Sequence, residues 1–212
     1  GILSELLLMQ RRIDLGASPV LYNRPCSAES FAADWEPRNA QWEYRDGAFW
    51  GTNPLPAPGV VICKRSFPGN VLVEFHAQTV APSTHDIDVM WNLSWNEADN
   101  CRGAAYVAGI MGWWDGKVGI EKSPEYRLNA TTPCPWFEAG REYFIQAGSI
   151  DGHCFVFVDG VLRLEVTDPD PIDHQAHTHI GFEAYQSKIR IRDIVVRQIA
   201  WTPRNMSYPK EF

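Results

Sequence analysis

Two aspartates stand two positions apart in a segment whose apolar residues alternate with polar ones. From position 87 to 95 every odd-numbered residue is apolar, whereas Asp86, Asp88 and Asn92 occupy even-numbered positions. Side chains two apart on a strand share one face and lie about 6.5–7 Å apart along the chain. Inverting glycosidases separate their carboxyl groups by about 6.5–9.5 Å, so this pair is a candidate for acid–base chemistry at a glycosidic bond. The alternatives are two solvated aspartates or a cation site.

Further carboxylates and histidines stand in two other segments. His177, His179 and Glu183 fall on one face of an extended strand, a pattern compatible with a metal site of two histidines and a carboxylate. The alternatives are ligand contact by Glu183 or His179, and pairing with nearby charges. Glu121 precedes Lys122, and such a pair either takes part in acid–base chemistry or forms a surface ion pair. We predict Glu183 as a catalytic group beside the two aspartates, and His179 and Glu121 as ligand contacts.

Aromatic residues can supply the stacking surface that a sugar ring needs. The apolar C–H faces of sugars stack on exposed aromatic rings. Trp113 and Trp114 are consecutive, so strand alternation sends one ring to the core and leaves the other for a ligand. With these two tryptophans, Asn92 and Tyr185 complete the predicted substrate contacts.

The elements that must position these residues are strands joined by tight turns. Period-two alternation runs through residues 71–78 and 86–95, as a sheet with one buried face requires. A one-residue slip of the apolar phase near Arg192–Asp193 predicts a β-bulge. Asp-Gly pairs supply the positive φ angles of type I′ hairpin turns, and four of them are flanked by strand-forming residues: Asp46-Gly47, Asp115-Gly116, Asp151-Gly152 and Asp159-Gly160.

These patterns predict an all-β fold, a two-sheet antiparallel β-sandwich that spans residues 21–201. Residues 1–20 form an N-terminal extension, in which the helical spacing of Leu6, Met9 and Ile13 favours one short helix. No other helix is predicted. Residues 202–212 form a C-terminal tail.

Composition excludes several classes of partner. The net charge is −7 from 19 basic and 26 acidic residues, and no cluster of Lys and Arg is present to displace counterions from a nucleic acid. The apolar run Leu6–Met9 is too short to cross a bilayer. Five cysteines without a CxxC pair are typical of free thiols in a reducing compartment. We therefore predict a cytoplasmic protein; a secretion signal removed before Gly1 is the alternative.

Four segments resemble the concanavalin A-like lectin/glucanase superfamily, and especially the small bacterial keto-disaccharide hydrolase-like jelly-roll proteins and their relatives linked to plant-polysaccharide utilisation. They are Trp42–Gly51, Val71–Phe75, Phe155–Asp168 and His179–Ile194. Their order and spacing fit that family from about Leu21 to Trp201. The resemblance implies a concanavalin-like jelly roll with a saccharide site on its concave sheet.

The resemblance also bears on single residues. The segment from 86 to 90 is similar to the laminarinase-type motif, in which acidic residues at alternate positions act as nucleophile, assistant and acid. Asp86 and Asp88 match the first two positions, but Met90 stands at the third. The superfamily often carries a structural calcium ion, for which Asp193 is the candidate ligand; no other cofactor is required.

The sequence thus predicts a bacterial protein that binds or cleaves an oligosaccharide, with Asp86, Asp88 and Glu183 as the catalytic groups. The missing carboxylate at Met90 keeps two alternatives open: a non-catalytic carbohydrate-binding sandwich and a protein-interaction sandwich. A saccharide is the predicted partner, in preference to nucleic acid or membrane.

Overall fold

The computed structural model describes residues 4–205, apart from the side chains of Trp113 and Trp114. The predicted tail beyond 205 lies outside the described residues. In chain order the elements are β1 (Glu5–Leu7), β2 (Arg11–Asp14), β3 (Val20–Tyr22), α1 (Ala28–Asp34), β4 (Trp35–Arg38), β5 (Gln41–Arg45), β6 (Ala48–Asn53), β7 (Gly59–Cys63), β8 (Val71–Thr79), β9 (Ile87–Leu93), β10 (Trp95–Asn96), β11 (Cys101–Arg102), β12 (Ala105–Gly112), α2 (Trp113–Gly116), β13 (Lys117–Ser123), β14 (Ala130–Pro133), β15 (Tyr143–Ile150), β16 (His153–Val158), β17 (Val161–Thr167), β18 (His179–Ala184), β19 (Ser187–Gln198) and β20 (Trp201–Pro203).

Two large antiparallel sheets pack face to face. One has seven strands in the order β14-β13-β12-β9-β18-β7-β4, and the other has eight in the order β17-β16-β15-β8-β19-β6-β5. The main hydrophobic cluster lies between them and takes apolar side chains from both, such as Trp91 and Phe182 from the first and Phe75 and Val156 from the second. The predicted β-sandwich is confirmed.

Hairpin turns form where Asp-Gly pairs were found. Asp46-Gly47 joins β5 to β6, Asp151-Gly152 joins β15 to β16, and Asp159-Gly160 joins β16 to β17. Both residues of each pair have positive φ, as a type I′ turn requires. The fourth pair, Asp115-Gly116, also has positive φ but ends helix α2 between the paired strands β12 and β13. The predicted bulge in β19 is present between Arg192 and Val195.

The predicted N-terminal helix is wrong, because the segment forms two strands. Leu6 on β1 pairs with Ile13 on β2, and β2 pairs in turn with β20. Leu6, Leu8 and Ile13 are buried against Leu72 and Phe155 of the eight-stranded sheet. Burial of alternate residues against that sheet outweighs the helical spacing seen in the sequence.

Helix α1, which the sequence analysis did not predict, has its own local signal. The Ser27 side chain accepts a hydrogen bond from Ser30 N, and Ser30 Oγ accepts one from Ser27 N. Together they form a capping box that satisfies two backbone donors at the start of the helix. Within residues 4–205, no helix is long and apolar enough to cross a membrane.

Candidate functional site

The predicted alternation holds through the first five residues of β9. Ile87, Val89 and Trp91 lie in the core between the sheets, so Asp88 and Met90 lie on the opposite face of the seven-stranded sheet, here called the outer face. Asp86 stands just before β9 with a positive φ of 75°. Its backbone N donates to Met111 O at 3.1 Å.

Neighbouring strands bring two more carboxylates to this face. Asp88 is paired with Glu183 on β18, and Met90 is paired with Val107 on β12, which pairs in turn with Glu121 on β13. Directly opposite residues on antiparallel strands have Cβ atoms about 4.5–5.5 Å apart. Position 90 of β9 has no carboxylate, but β18 beside it carries Glu183 and β13, on the far side of β12, carries Glu121.

These four carboxyl groups line one cavity of about 320 Å³. Its other lining residues are an arginine, two tyrosines and a proline: Arg102, Tyr126, Tyr185 and Pro58. The structure thus brings together five of the predicted site residues (Asp86, Asp88, Glu121, Glu183 and Tyr185), and their roles stay predictions. Perturbed carboxyl groups converging in a concave pocket are a general feature of functional sites.

Arg102 is the central cation of the cavity, and sequence reasoning missed it. Its Nη1 donates to both oxygens of Glu183 at 3.1 and 3.2 Å, and its Nη2 lies 3.6 Å from Glu121 Oε1. Burial disfavours the guanidinium cation, but the charges of Glu183 and Glu121 outweigh it and raise the pKa of Arg102. Arg102 lies on β11, in the connection between β9 and β12, where no repeating pattern marks it in the sequence.

Asp86 and Asp88 form a hydrogen-bonded carboxyl pair. Burial raises the pKa of Asp86 to about 7, helped by the charges of Glu183 and Glu121 and opposed by the hydrogen bond from Asp88. Burial and the charge of Asp86 also raise the pKa of Asp88 well above its ordinary value. Two carboxyl groups in contact cannot both ionise at little cost, so the pair holds a shared proton near neutral pH.

This contact corrects the spacing expected from the sequence. An extended strand would separate the two carboxyl groups, whereas the positive φ of Asp86 turns its side chain towards Asp88. A hydrogen-bonded pair is too close to accommodate a glycosidic bond between its members. The two aspartates therefore cannot flank a glycosidic bond by themselves, and the other carboxyl groups of the cavity belong to Glu183 and Glu121.

One atom of this pair is left without a partner. Asp88 is 2% exposed, and its Oδ1 is buried with no hydrogen-bond partner among the described residues. An unpaired buried polar atom costs about 1–3 kcal/mol, and such atoms in native proteins call for a specific reason. The side chain that carries this atom lines the cavity.

Asn92 does not share the outer face with the aspartates, contrary to the prediction. It has a positive φ of 44°, and the pairing of β18 with β9 shifts register there. Its Oδ1 accepts from Ser149 Oγ at 3.3 Å and its Nδ2 donates to Gly69 O at 3.4 Å, both in buried positions. The slip turns Asn92 inwards and places Leu93 beside Met90 in a separate hydrophobic cluster.

His179 and His177 lie away from the carboxylate cavity. His179 is four positions before Glu183 on β18, and its Nδ1 donates to Cys63 O at 3.0 Å. His177 Nδ1 is hydrogen-bonded to Ser94 Oγ at 2.6 Å. No group of three His, Cys, Asp or Glu side chains with metal-site geometry occurs in residues 4–205. The proposed set of His177, His179 and Glu183 is therefore not assembled.

Asp193, the calcium candidate, is engaged with basic side chains. Its Oδ2 accepts from Arg192 Nη1 at 2.5 Å and lies 3.4 Å from His76 Nδ1. Its side chain is 57% exposed. Within the described part of the chain, no further carboxylate joins it in a cation-binding group.

Trp113 and Trp114 lie in helix α2, between β12 and β13. Strand alternation, from which one ring was assigned to a ligand, does not apply within a helical turn. Their side chains lie outside the described part of the structure, so their predicted contact with substrate stays a prediction.

Comparisons with known proteins identify the fold. No family model and no curated protein matches this sequence. A Bacillus subtilis protein of unknown function with a galectin-like fold has a TM-score of 0.69 at 17% identity, covering 85% of this chain and 96% of that one. The carbohydrate binding module CBM66 from Bacillus subtilis gives 0.59 at 10% identity, covering 77% and 95%. The Bacillus licheniformis beta-glucanase gives 0.58 at 12% identity, covering 84% and 97%. The chain shares its jelly-roll β-sandwich fold with these proteins, as the sequence predicted.

Proposed function

We propose that this protein binds an oligosaccharide in the carboxylate cavity and hydrolyses a glycosidic bond there. The observation that carries the proposal is the hydrogen-bonded Asp86–Asp88 pair lying opposite Glu183 in one cavity. Two of the solved structures that share the fold are a carbohydrate binding module and a beta-glucanase. Their names favour a saccharide as ligand, and the carboxyl pair favours acid–base chemistry on it.

The pair is suited to act as the general acid. Near neutral pH it retains one proton, because burial and the surrounding negative charge disfavour full ionisation. That proton passes from Asp88 to the glycosidic oxygen as the bond between this oxygen and the anomeric carbon breaks. The Asp88 carboxylate formed in this step lies beside Asp86, which disfavours the new negative charge. The pair therefore takes up a proton again readily.

Glu183 is suited to act as the base. Its carboxylate is held by Arg102 Nη1 at 3.1 and 3.2 Å, which fixes its orientation. A water molecule adds its oxygen to the anomeric carbon, and Glu183 accepts the proton that this water releases. One proton leaves the aspartate pair and one arrives on Glu183, so the step balances as a hydrolysis.

A second candidate function, saccharide binding without cleavage, is favoured by a different observation. Arg102 already engages the Glu183 carboxylate at 3.1 Å, and Met90 occupies the third acidic position of the laminarinase-like motif. A cavity of fixed carboxylates can equally bind sugar hydroxyl groups, which are good hydrogen-bond donors.

Asp88→Asn separates the two candidates. The amide conserves the shape of the side chain but supplies no transferable proton, so hydrolysis of a reducing-end-labelled oligosaccharide library should fall by at least about 100-fold while binding persists. The matched control is Glu138→Gln, an exposed acid outside the cavity, which should retain full activity. Saccharide binding by the wild type without any turnover would establish the binding function instead. Failure of every saccharide in the library to bind would refute both.

A further inference from the structure

The cavity contains far more carboxyl groups than cations. Among the described residues that line it, four carry a carboxyl group and Arg102 is the only Lys or Arg. The guanidinium of Arg102 is already engaged by Glu183 and approaches Glu121 at 3.6 Å. Its side chain is 5% exposed, so a ligand finds little free positive charge there. An anionic sugar would be repelled.

The unpaired acceptor on Asp88 adds a specific requirement to this general charge imbalance. Asp88 Oδ1 is a buried oxygen without a hydrogen-bond partner in the described residues, on a side chain that lines the cavity. A hydroxyl group offers it one donor, whereas an ammonium group offers up to three donors together with a positive charge. Hydrogen bonds to ionised groups are roughly twice as strong as neutral ones.

We propose that the cavity selects a saccharide that carries a free amine, such as a glucosamine oligomer, over neutral, N-acetylated or acidic sugars. This inference rests on the proposed saccharide function and narrows its substrate class. It follows from two observations: four carboxyl groups share the cavity with Arg102, which is already bound to Glu183, and Asp88 Oδ1 has no hydrogen-bond partner in the described residues.

The remaining walls of the cavity suit the same ligand. Tyr126 and Tyr185 line it, and an aromatic face attracts a cation at separations up to about 6 Å. The volume of about 320 Å³ is at the lower end for ligand pockets. A space of this size limits the selection to one or two sugar rings, with the rest of an oligomer outside.

Isothermal titration calorimetry with four matched tetrasaccharides tests the proposal. The probes are oligomers of glucosamine, N-acetylglucosamine, glucose and galacturonic acid. They are measured just below neutral pH, where much of the free amine is charged and Asp86, with a pKa of about 7, is still partly ionised. We expect the glucosamine oligomer to bind at least about tenfold more tightly than the glucose oligomer, and the difference to shrink in high salt. Asp88→Asn should reduce that preference, whereas Glu138→Gln should leave it unchanged.

The outcomes distinguish this inference from the proposed function. If the glucose or N-acetylglucosamine oligomer binds as tightly as the glucosamine oligomer, or the galacturonate oligomer binds best, amine selection is wrong while the saccharide function stands. If none of the four binds and no member of the wider library is bound or hydrolysed, both proposals fail. If Asp88→Asn leaves the preference for the amine unchanged, the ammonium group binds outside this cavity. That result would overturn the proposal that the carboxylate cavity selects the amine.

Discussion

Asp86 and Asp88 are hydrogen-bonded to each other, although a strand would keep side chains two positions apart well separated. The contact exists because Asp86 adopts a positive φ of 75° before β9 begins. Non-glycine residues rarely adopt this conformation, which costs free energy and is concentrated at functional sites. The backbone thus places two acids where mutual repulsion and burial make them retain a proton.

Stability should depend on pH through this pair. The pKa of Asp86 is raised to about 7 in the fold, against about 3.9 in an unfolded chain. Because the folded state holds the proton more tightly, its contribution is fully present below about pH 4 and is lost as pH rises towards 7, by about 1.4 kcal/mol per pH unit for one retained proton. Urea unfolding of wild type and Asp86→Asn from pH 4 to 8 measures it.

The difference between the two proteins is the quantity to follow. Burial raises the pKa values of Asp34 and Asp168, but hydrogen bonds and nearby cations outweigh it and lower both. Their contribution to the free energy of unfolding is therefore lost as pH falls, whereas that of Asp86 is lost as pH rises. Both proteins contain these two residues, so their contributions cancel when the free energy of unfolding of one protein is subtracted from that of the other. Asp86→Asn should gain on the wild type as pH rises, and a difference that is constant with pH would show that Asp86 does not retain a proton.

Arg102→Met should destabilise the protein by about 3–5 kcal/mol, because it leaves Glu183 and Glu121 buried without their cation. Chemical denaturation at neutral pH measures the loss. The double variant Arg102→Met with Glu183→Gln should recover part of the stability, since it also removes the Glu183 charge that Arg102 had balanced. A double variant that is less stable than the single one would contradict this account.

Asn92→Ala should lower stability without weakening saccharide binding. It removes buried hydrogen bonds to Ser149 and Gly69 and places alanine at a positive φ, which together should cost about 1–3 kcal/mol. The free energy of unfolding and the affinity for the best-bound oligosaccharide are measured on the same sample. If the affinity falls while the free energy of unfolding is unchanged, Asn92 contacts the saccharide after all.

Leu6→Ala should cost about 2–5 kcal/mol, the range for a truncated core leucine. Leu6 is 2% exposed and packs beside Ile13 against the eight-stranded sheet. Leu7 next to it is 39% exposed, so Leu7→Ala is the matched control and should change stability little. Equal effects of the two substitutions would mean that β1 does not pack as the structure has it.

The sequence by itself determined the architecture and the position of the two aspartates. Hairpin turns are encoded locally by Asp-Gly pairs with positive φ, and the core face of β9 is encoded by the alternation of Ile87, Val89 and Trp91. Such signals need only neighbours in the chain. They predicted the sandwich correctly and placed Asp88 on the outer face.

Only the tertiary structure decided which residues meet. Arg102 and Glu183 are 81 positions apart in the chain, and no local pattern marks their pairing, because it depends on the order of strands in the sheet. The inward turn of Asn92 and the strand formed by Leu6 were decided in the same way, by register shifts and by burial against distant strands. A prediction from local periodicity treats a strand as continuous. A single bulge instead moves each side chain that follows it to the other face of the sheet.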